Sequence, residues 1–129
     1  MVIDTSALLA ILLGEPERDE FMGHLLRADQ RMMSAANVLE TGIVVEARKG
    51  EAAGREFDLF LLRVGIEIAP VDSEQIDIAR LAWRQYGKGR HPAGLNFGDC
   101  FAYALAKARG ELLLAKGSDF SKTDAELCH

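Results

Sequence analysis

With 129 residues, 49% of them hydrophobic and 27% charged, the chain has the size and composition of one soluble globular domain, spanning residues 1–129. Its formal net charge of −5 argues mildly against a protein that grips nucleic acid by bulk electrostatics, though it leaves room for a local basic rim. No apolar run approaches the ~20 residues of a membrane span, no signal peptide is visible, and Cys100 and Cys128 lack metal-ligand spacing, so a reducing cytoplasm is the expected setting.

Short apolar runs alternate with longer amphipathic segments, which predicts an α/β fold. Residues 1–4 form a buried strand. A helix over 5–13 follows and is broken by Gly14 and Pro16. A second helix covers 17–27, with Phe21, Leu25 and Leu26 on its apolar face. A strand over 31–35 leads into a helix over 36–49, stopped by Gly50 at its C-terminal end. Residues 51–64 carry Phe57, Phe60, Leu61 and Val64 at helical spacing. A strand over 66–70 precedes a helix over 73–86 with Ser73 as its N-cap and Ile76, Ala79, Trp83 and Tyr86 on one face. A Gly- and Pro-containing loop over 88–94 opens onto the most apolar helix, 96–109, closed by Gly110. A strand over 112–115 and a loop with one short last strand complete the chain. Short strands joined by helical crossovers predict a mainly parallel sheet of four to five strands, covered on both faces in an α/β/α sandwich.

Four acidic residues stand at strand ends or at the starts of the helices that follow them: Asp4, Glu40, Asp99 and Asp119. Taken one at a time they have local explanations. Asn37 with Glu40 and Asn96 with Asp99 have capping-box spacing, Asp4 suits an N-cap, and Asp119 suits a turn cap. Taken together they are placed to gather in the crevice at the carboxyl ends of a parallel sheet. Carboxylates crowded without basic partners repel each other, and a hard divalent cation with oxygen ligands resolves that repulsion.

The opening Val2-Ile3-Asp4-Thr5-Ser6, the helix with Glu40, the run Leu95-Asn96-Phe97-Gly98-Asp99-Cys100-Phe101-Ala102-Tyr103 and the late Lys116-Gly117-Ser118-Asp119-Phe120 together resemble a PIN domain. They are most similar to the ribonuclease toxins of the VapC type. The resemblance covers nearly the whole chain in the right order. It implies the PIN-like sandwich, a Mg²⁺- or Mn²⁺-dependent endoribonuclease, and the toxin half of a type II toxin–antitoxin pair. It carries the site acids onto Asp4, Glu40, Asp99 and Asp119. Asp4 and Asp99 are the expected direct metal ligands, with Glu40 and Asp119 acting through water, and Glu40 alternatively orienting the attacking water. Thr5, Ser6 and Asn96 are the expected supporting residues; helix capping is their local alternative. Ser118 departs from the family, whose members often carry a second polar or acidic side chain there.

Arg48, Lys49, Lys88, Arg90, Lys116 and Lys122 lie near these motifs, and Lys116 and Arg90 are the candidates for contact with the RNA backbone. His24, His91 and His129 form no metal or triad arrangement. Trp83 and Tyr86 read as core or interface. The resemblance also implies a homodimer, a cognate antitoxin and a higher toxin–antitoxin assembly. Phe21, Met22, Leu25 and Leu26, with Phe57, Phe60, Leu61 and Leu62, supply apolar surface for such helix-in-groove contacts. Two other readings stay open: a catalytically silent PIN scaffold that acts as a binding module, and a metal-dependent phosphatase or phosphotransfer domain.

Overall fold

A computed structural model describes all residues, 1–129. In chain order the elements are β1 (Val2–Ile3), α1 (Thr5–Leu12), α2 (Arg18–Arg27), β2 (Met32–Ser34), α3 (Ala35–Lys49), α4 (Glu51–Val64), β3 (Glu67–Ala69), α5 (Ser73–Tyr86), α6 (Phe97–Arg109) and β4 (Leu113–Leu114), followed by a 3₁₀ turn over Phe120–Lys122. The four strands form one sheet in the order β3-β2-β1-β4, and every pairing is parallel.

Strands β1, β2 and β4 are buried along their whole length, whereas the edge strand β3 buries only Ala69. Side chains alternate across a sheet, and the cores follow that alternation. Val2, Met32 and Leu113 enter one apolar cluster with Tyr86, Leu105 and Tyr103 of α5 and α6. Their neighbours Ile3, Met33 and Leu114 enter the other, with Leu8, Leu25 and Phe57 of α1, α2 and α4. The result is a three-layer α/β/α sandwich, as the sequence predicts. A one-residue slip in any central strand would exchange the two cores, so register is tightly set.

The strand order positions the site. Crossovers from β1 run outward through β2 to β3, whereas β4 returns to pair with β1 on its other side. The reversal makes a crevice at the carboxyl ends of β1 and β4, where doubly wound sheets bind their ligands. Asp4 is the residue immediately after β1.

Three local expectations are corrected. The N-cap of α5 is Asp72, whose side chain accepts from the Gln75 amide, and Ser73 is already inside the helix. Asn37 and Glu40 form no capping box, because α3 begins earlier, at a Ser34 cap. The short last strand is only a bridge between Leu113 and Leu127, so the sheet has four strands. The apolar faces of α2 and α4 are mostly spent inside the molecule. Phe21, Leu25, Phe57 and Leu61 are buried, and only Leu26 and Leu62 stand largely exposed.

Candidate active site

Asp4 serves as the N-cap of α1. Its Oδ2 accepts from the Ser6 amide at 3.0 Å and from the Ser6 hydroxyl at 2.6 Å. The Ser6 hydroxyl in turn accepts from the Lys116 amide at 2.9 Å, which ties the loop after β4 to the start of α1. The cap uses one oxygen only. Asp4 is 2% exposed, and its Oδ1 accepts no hydrogen bond from the protein.

Glu40 projects from the second turn of α3 toward the same place. Its Oε1 accepts from the Thr5 hydroxyl at 2.5 Å and from the Asn37 side-chain amide at 3.3 Å. Asn37 is fully buried and also donates to the Gly98 carbonyl at 3.0 Å, so it joins α3 to the first turn of α6. Gly98 permits that approach. A Cβ there would stand 2.6 Å from Glu40 Oε1 and nearer still to Oε2.

Asp99 and Asn96 form the expected capping box. Asn96 Oδ1 accepts from the Asp99 amide at 2.9 Å, and Asp99 Oδ2 accepts from the Asn96 amide at 3.0 Å. The capping and site readings of these residues are therefore not rivals. In each of Asp4, Glu40 and Asp99, hydrogen bonds hold one oxygen in place while the other accepts none from the protein. Asp119 differs. It is exposed beyond Gly117 and makes no side-chain cap.

The charges act on one another. Burial, first of all, pushes the Asp4 carboxyl up to about 7; the Ser6 hydroxyl opposes the rise, and Asp99 and Glu40 add to it. Asp99 is also raised, by burial first and then by Asp119 and Glu40, against the Asn96 amide. All four predicted acids thus belong to one electrostatic neighbourhood. No three His, Cys, Asp or Glu side chains, however, close into a ready ligand cage. The two observations are compatible. Coulombic coupling acts over several ångströms, whereas a Mg²⁺ ligand must stand at about 2.0–2.1 Å, and that ion ordinarily keeps several waters beside one or two carboxylates. A hard, all-oxygen donor set with a buried, unpartnered Oδ1 on Asp4 fits such an ion.

The basic candidates part company. The Lys116 ammonium pairs with Glu15 and lies 3.4 Å from Glu17, which occupies it away from the acids. Arg90 stacks over the Trp83 ring at 4.6 Å. Ser118 is exposed, and its carbonyl accepts from the Ser121 hydroxyl. Sequence reasoning missed Gly98, whose lack of a side chain carries no local signal, and it took Asn37 for a cap.

Comparison with known proteins places this arrangement. The model of the PIN domain family matches residues 1–126. The chain is 55% identical over 129 residues to "Ribonuclease VapC" of Mycolicibacterium smegmatis, covering 100% of both chains. Its fold superposes on the crystal structure of VapC20 of Mycobacterium tuberculosis, described as a sarcin-ricin loop cleaving toxin, with a TM-score of 0.80 at 18% identity, over 99% of this chain and 98% of that one. It also superposes on VapBC2 of Rickettsia felis bound to a fragment of its promoter DNA, with a TM-score of 0.75 at 16% identity, over 99% and 96% of the two chains. The chain belongs to the PIN-domain family and, within it, to the VapC ribonucleases.

Proposed function

We propose that this VapC-type chain is a Mg²⁺- or Mn²⁺-dependent endoribonuclease that acts as the toxin of a toxin–antitoxin pair, and that Asp4, Glu40, Asp99 and Asp119 form its site. The observation that carries this reading is Asp4: a buried carboxylate with one unpartnered oxygen, beside two further carboxylates whose charges disfavour its ionisation. A proton or a cation must satisfy it at neutral pH.

Asp4 and Asp99 would hold the ion directly, and Glu40 and Asp119 through water. When bound, the ion would polarise the phosphate and acidify a water. The chain's own residues do the positioning. Ser6 and the Lys116 amide lock Asp4, the Asn96 amide locks Asp99, and Thr5 with Asn37 leaves Glu40 only its Oε2 to orient the attacking water. Hydrolysis would form one P–O bond to water and break the P–O bond to the leaving ribose oxygen, with the water's proton leaving toward Glu40 and a proton from solvent taken up by the departing oxygen.

VapBC2 is described as a pair on promoter DNA, which supports an antitoxin partner here. A 400 Å³ groove lined by Leu12, Met22 and Phe60, with Arg18, Lys49 and Arg63 among its walls, fits an amphipathic segment bearing acidic side chains. Leu39 and Ile43, one turn apart on α3 and both more than half exposed, offer a seat for a second copy. No helix is long and apolar enough to cross a membrane.

The test is cleavage of total RNA by wild type and Asp99→Asn, with Mg²⁺ and with chelator. Wild type should cut only with the cation, and Asp99→Asn should lose at least about 100-fold. Equal cutting by the two proteins would remove Asp99 from the site. No cutting by wild type would leave the silent scaffold.

A further inference from the structure

A second concavity adjoins the acids and plays no part in the chemistry above. Between α5 and the start of α6 lies a groove of about 640 Å³ walled by Ile76, Trp83, Phe97 and Phe101, with the buried Leu95 and Cys100 beneath. Its aromatic groups are conspicuously open: Trp83 is 46% exposed and Phe97 82%. Arg80, Arg84 and Lys88 also line it, and Arg90 stacks on Trp83. None of these four cations has a carboxylate partner, so their charge is free to meet an anion. Most Lys and Arg side chains of the molecule are unpaired, and what marks this groove is that four of them stand beside exposed aromatic rings in a chain of net charge −5.

We infer that this groove seats single-stranded RNA next to the scissile bond, with bases stacked on Trp83 and Phe97 and flanking phosphates held by Arg80, Arg84 and Lys88. The inference rests on the ribonuclease reading and specifies where that substrate lies. Aromatic platforms combined with a positive track are what unpaired strands require, because every free base has a stacking face and every nucleotide a phosphate. Paired RNA hides those faces. The indole already has neighbours on the protein before any ligand arrives. Arg90 lies over it, and Gly87 leaves open the space where a Cβ would collide with its Cδ1 at 2.6 Å and its Nε1 at 2.9 Å. The groove is also continuous with the acids. Asn96 lines it and holds Asp99 through its amide, and Phe97 opens the helix that carries Asp99. A two-fold contact between copies through this face would instead bring its unpaired cations together.

Trp83 is the only tryptophan, so its fluorescence reports on the groove directly. The probe is a mixed-sequence single-stranded RNA decamer, titrated in chelator so that no cation-dependent cleavage occurs. Saturable quenching is expected, with little from the same sequence as a duplex. Phe97→Ala should weaken binding roughly tenfold. The double variant Arg84→Glu with Lys88→Glu should weaken it further and flatten the slope of log affinity against log salt by about 1.4. These positions are exposed, so unchanged circular dichroism is expected to accompany the loss. Cleavage of the same decamer by wild type with Mg²⁺ is scored separately. Cleavage without quenching, and with KM unmoved by Phe97→Ala, overturns the groove and leaves the nuclease. Quenching without cleavage supports the groove and counts against the nuclease. If Phe97→Ala abolishes a dimer seen by sedimentation while RNA affinity is unchanged, the groove belongs to a second copy and the inference fails.

Discussion

Gly98 shows how one missing side chain sets the site. A glycine inside a helix ordinarily costs about 1 kcal/mol relative to alanine, and here that cost secures room for the Glu40 carboxylate. Gly98→Ala should therefore leave the melting temperature close to that of wild type, since improved helix propensity offsets the displaced side chain. The rate of RNA cleavage should fall at least about tenfold, because Glu40 loses the position that Thr5 and Asn37 give it. A variant that melts normally and cuts at the wild-type rate would show that the placement of Glu40 does not matter. The acids themselves were legible in sequence because each sits at a boundary between strand or loop and helix, where local grammar is strong. Asn96 and Asp99 were legible for the same reason and form the capping box their spacing predicts. Gly98 and the buried Asn37 were not legible, because their roles lie across a contact between α3 and α6, 61 residues apart in sequence. The partners of Lys116 were equally hidden, since Glu15 lies 101 residues away.

At the scale of elements, α6 does two jobs: its first turn holds Asp99, and its middle anchors the end of the chain. Tyr103 donates to Asp124 Oδ1 at 2.5 Å, and Lys107 donates to Oδ2 of the same carboxylate at 2.9 Å. These bonds hold the Asp124 carboxyl below its ordinary range, with the tyrosine hydroxyl the largest cause. A lowered carboxyl contributes stability that is present above its unfolded value and lost as pH falls through its folded one. Tyr103→Phe should thus lower the melting temperature at neutral pH by a few degrees, corresponding to about 1 kcal/mol. The gap from wild type should close in acid, and amide exchange at Leu113 and Cys128, whose amides bond within the bridge to the tail, should quicken. An undiminished gap in acid would assign the loss to packing and not to the ionised pair. The helices were legible from their periodicity and from their terminal glycines. The last strand was not: only a single bridge to Leu113 forms, its two backbone bonds supplemented by the side-chain bonds from Tyr103 and Lys107 to Asp124.

For the whole molecule, folding and ion binding are one equilibrium. The sheet order brings Asp4 to the switch point, and the surrounding core makes its charge expensive. Without a cation the folded protein retains the Asp4 proton up to about 7, whereas the unfolded chain releases it near 3.8. A carboxyl raised in this way contributes stability that is complete below the unfolded value and lost as pH rises through the folded one. The largest possible loss is roughly 4 kcal/mol, at about one unit per 1.4 kcal/mol. The melting temperature measured in chelator should therefore drop between about pH 4 and about pH 7 and level off above that. Mg²⁺ should act in the opposite sense, because it takes the place of the proton and binds only the ionised site. At a concentration about 100 times its dissociation constant it restores about 2.7 kcal/mol, so its stabilisation should be large near pH 8 and small near pH 5. Asp4→Asn should flatten the decline in chelator and abolish most of the stabilisation by Mg²⁺. A wild-type melting temperature that is flat with pH in chelator, or a Mg²⁺ shift of equal size at both ends of the range, would mean that Asp4 neither carries the buried charge nor receives the ion. In that event Asp4 and Asp99 would be two helix-capping carboxylates that happen to lie close to Glu40.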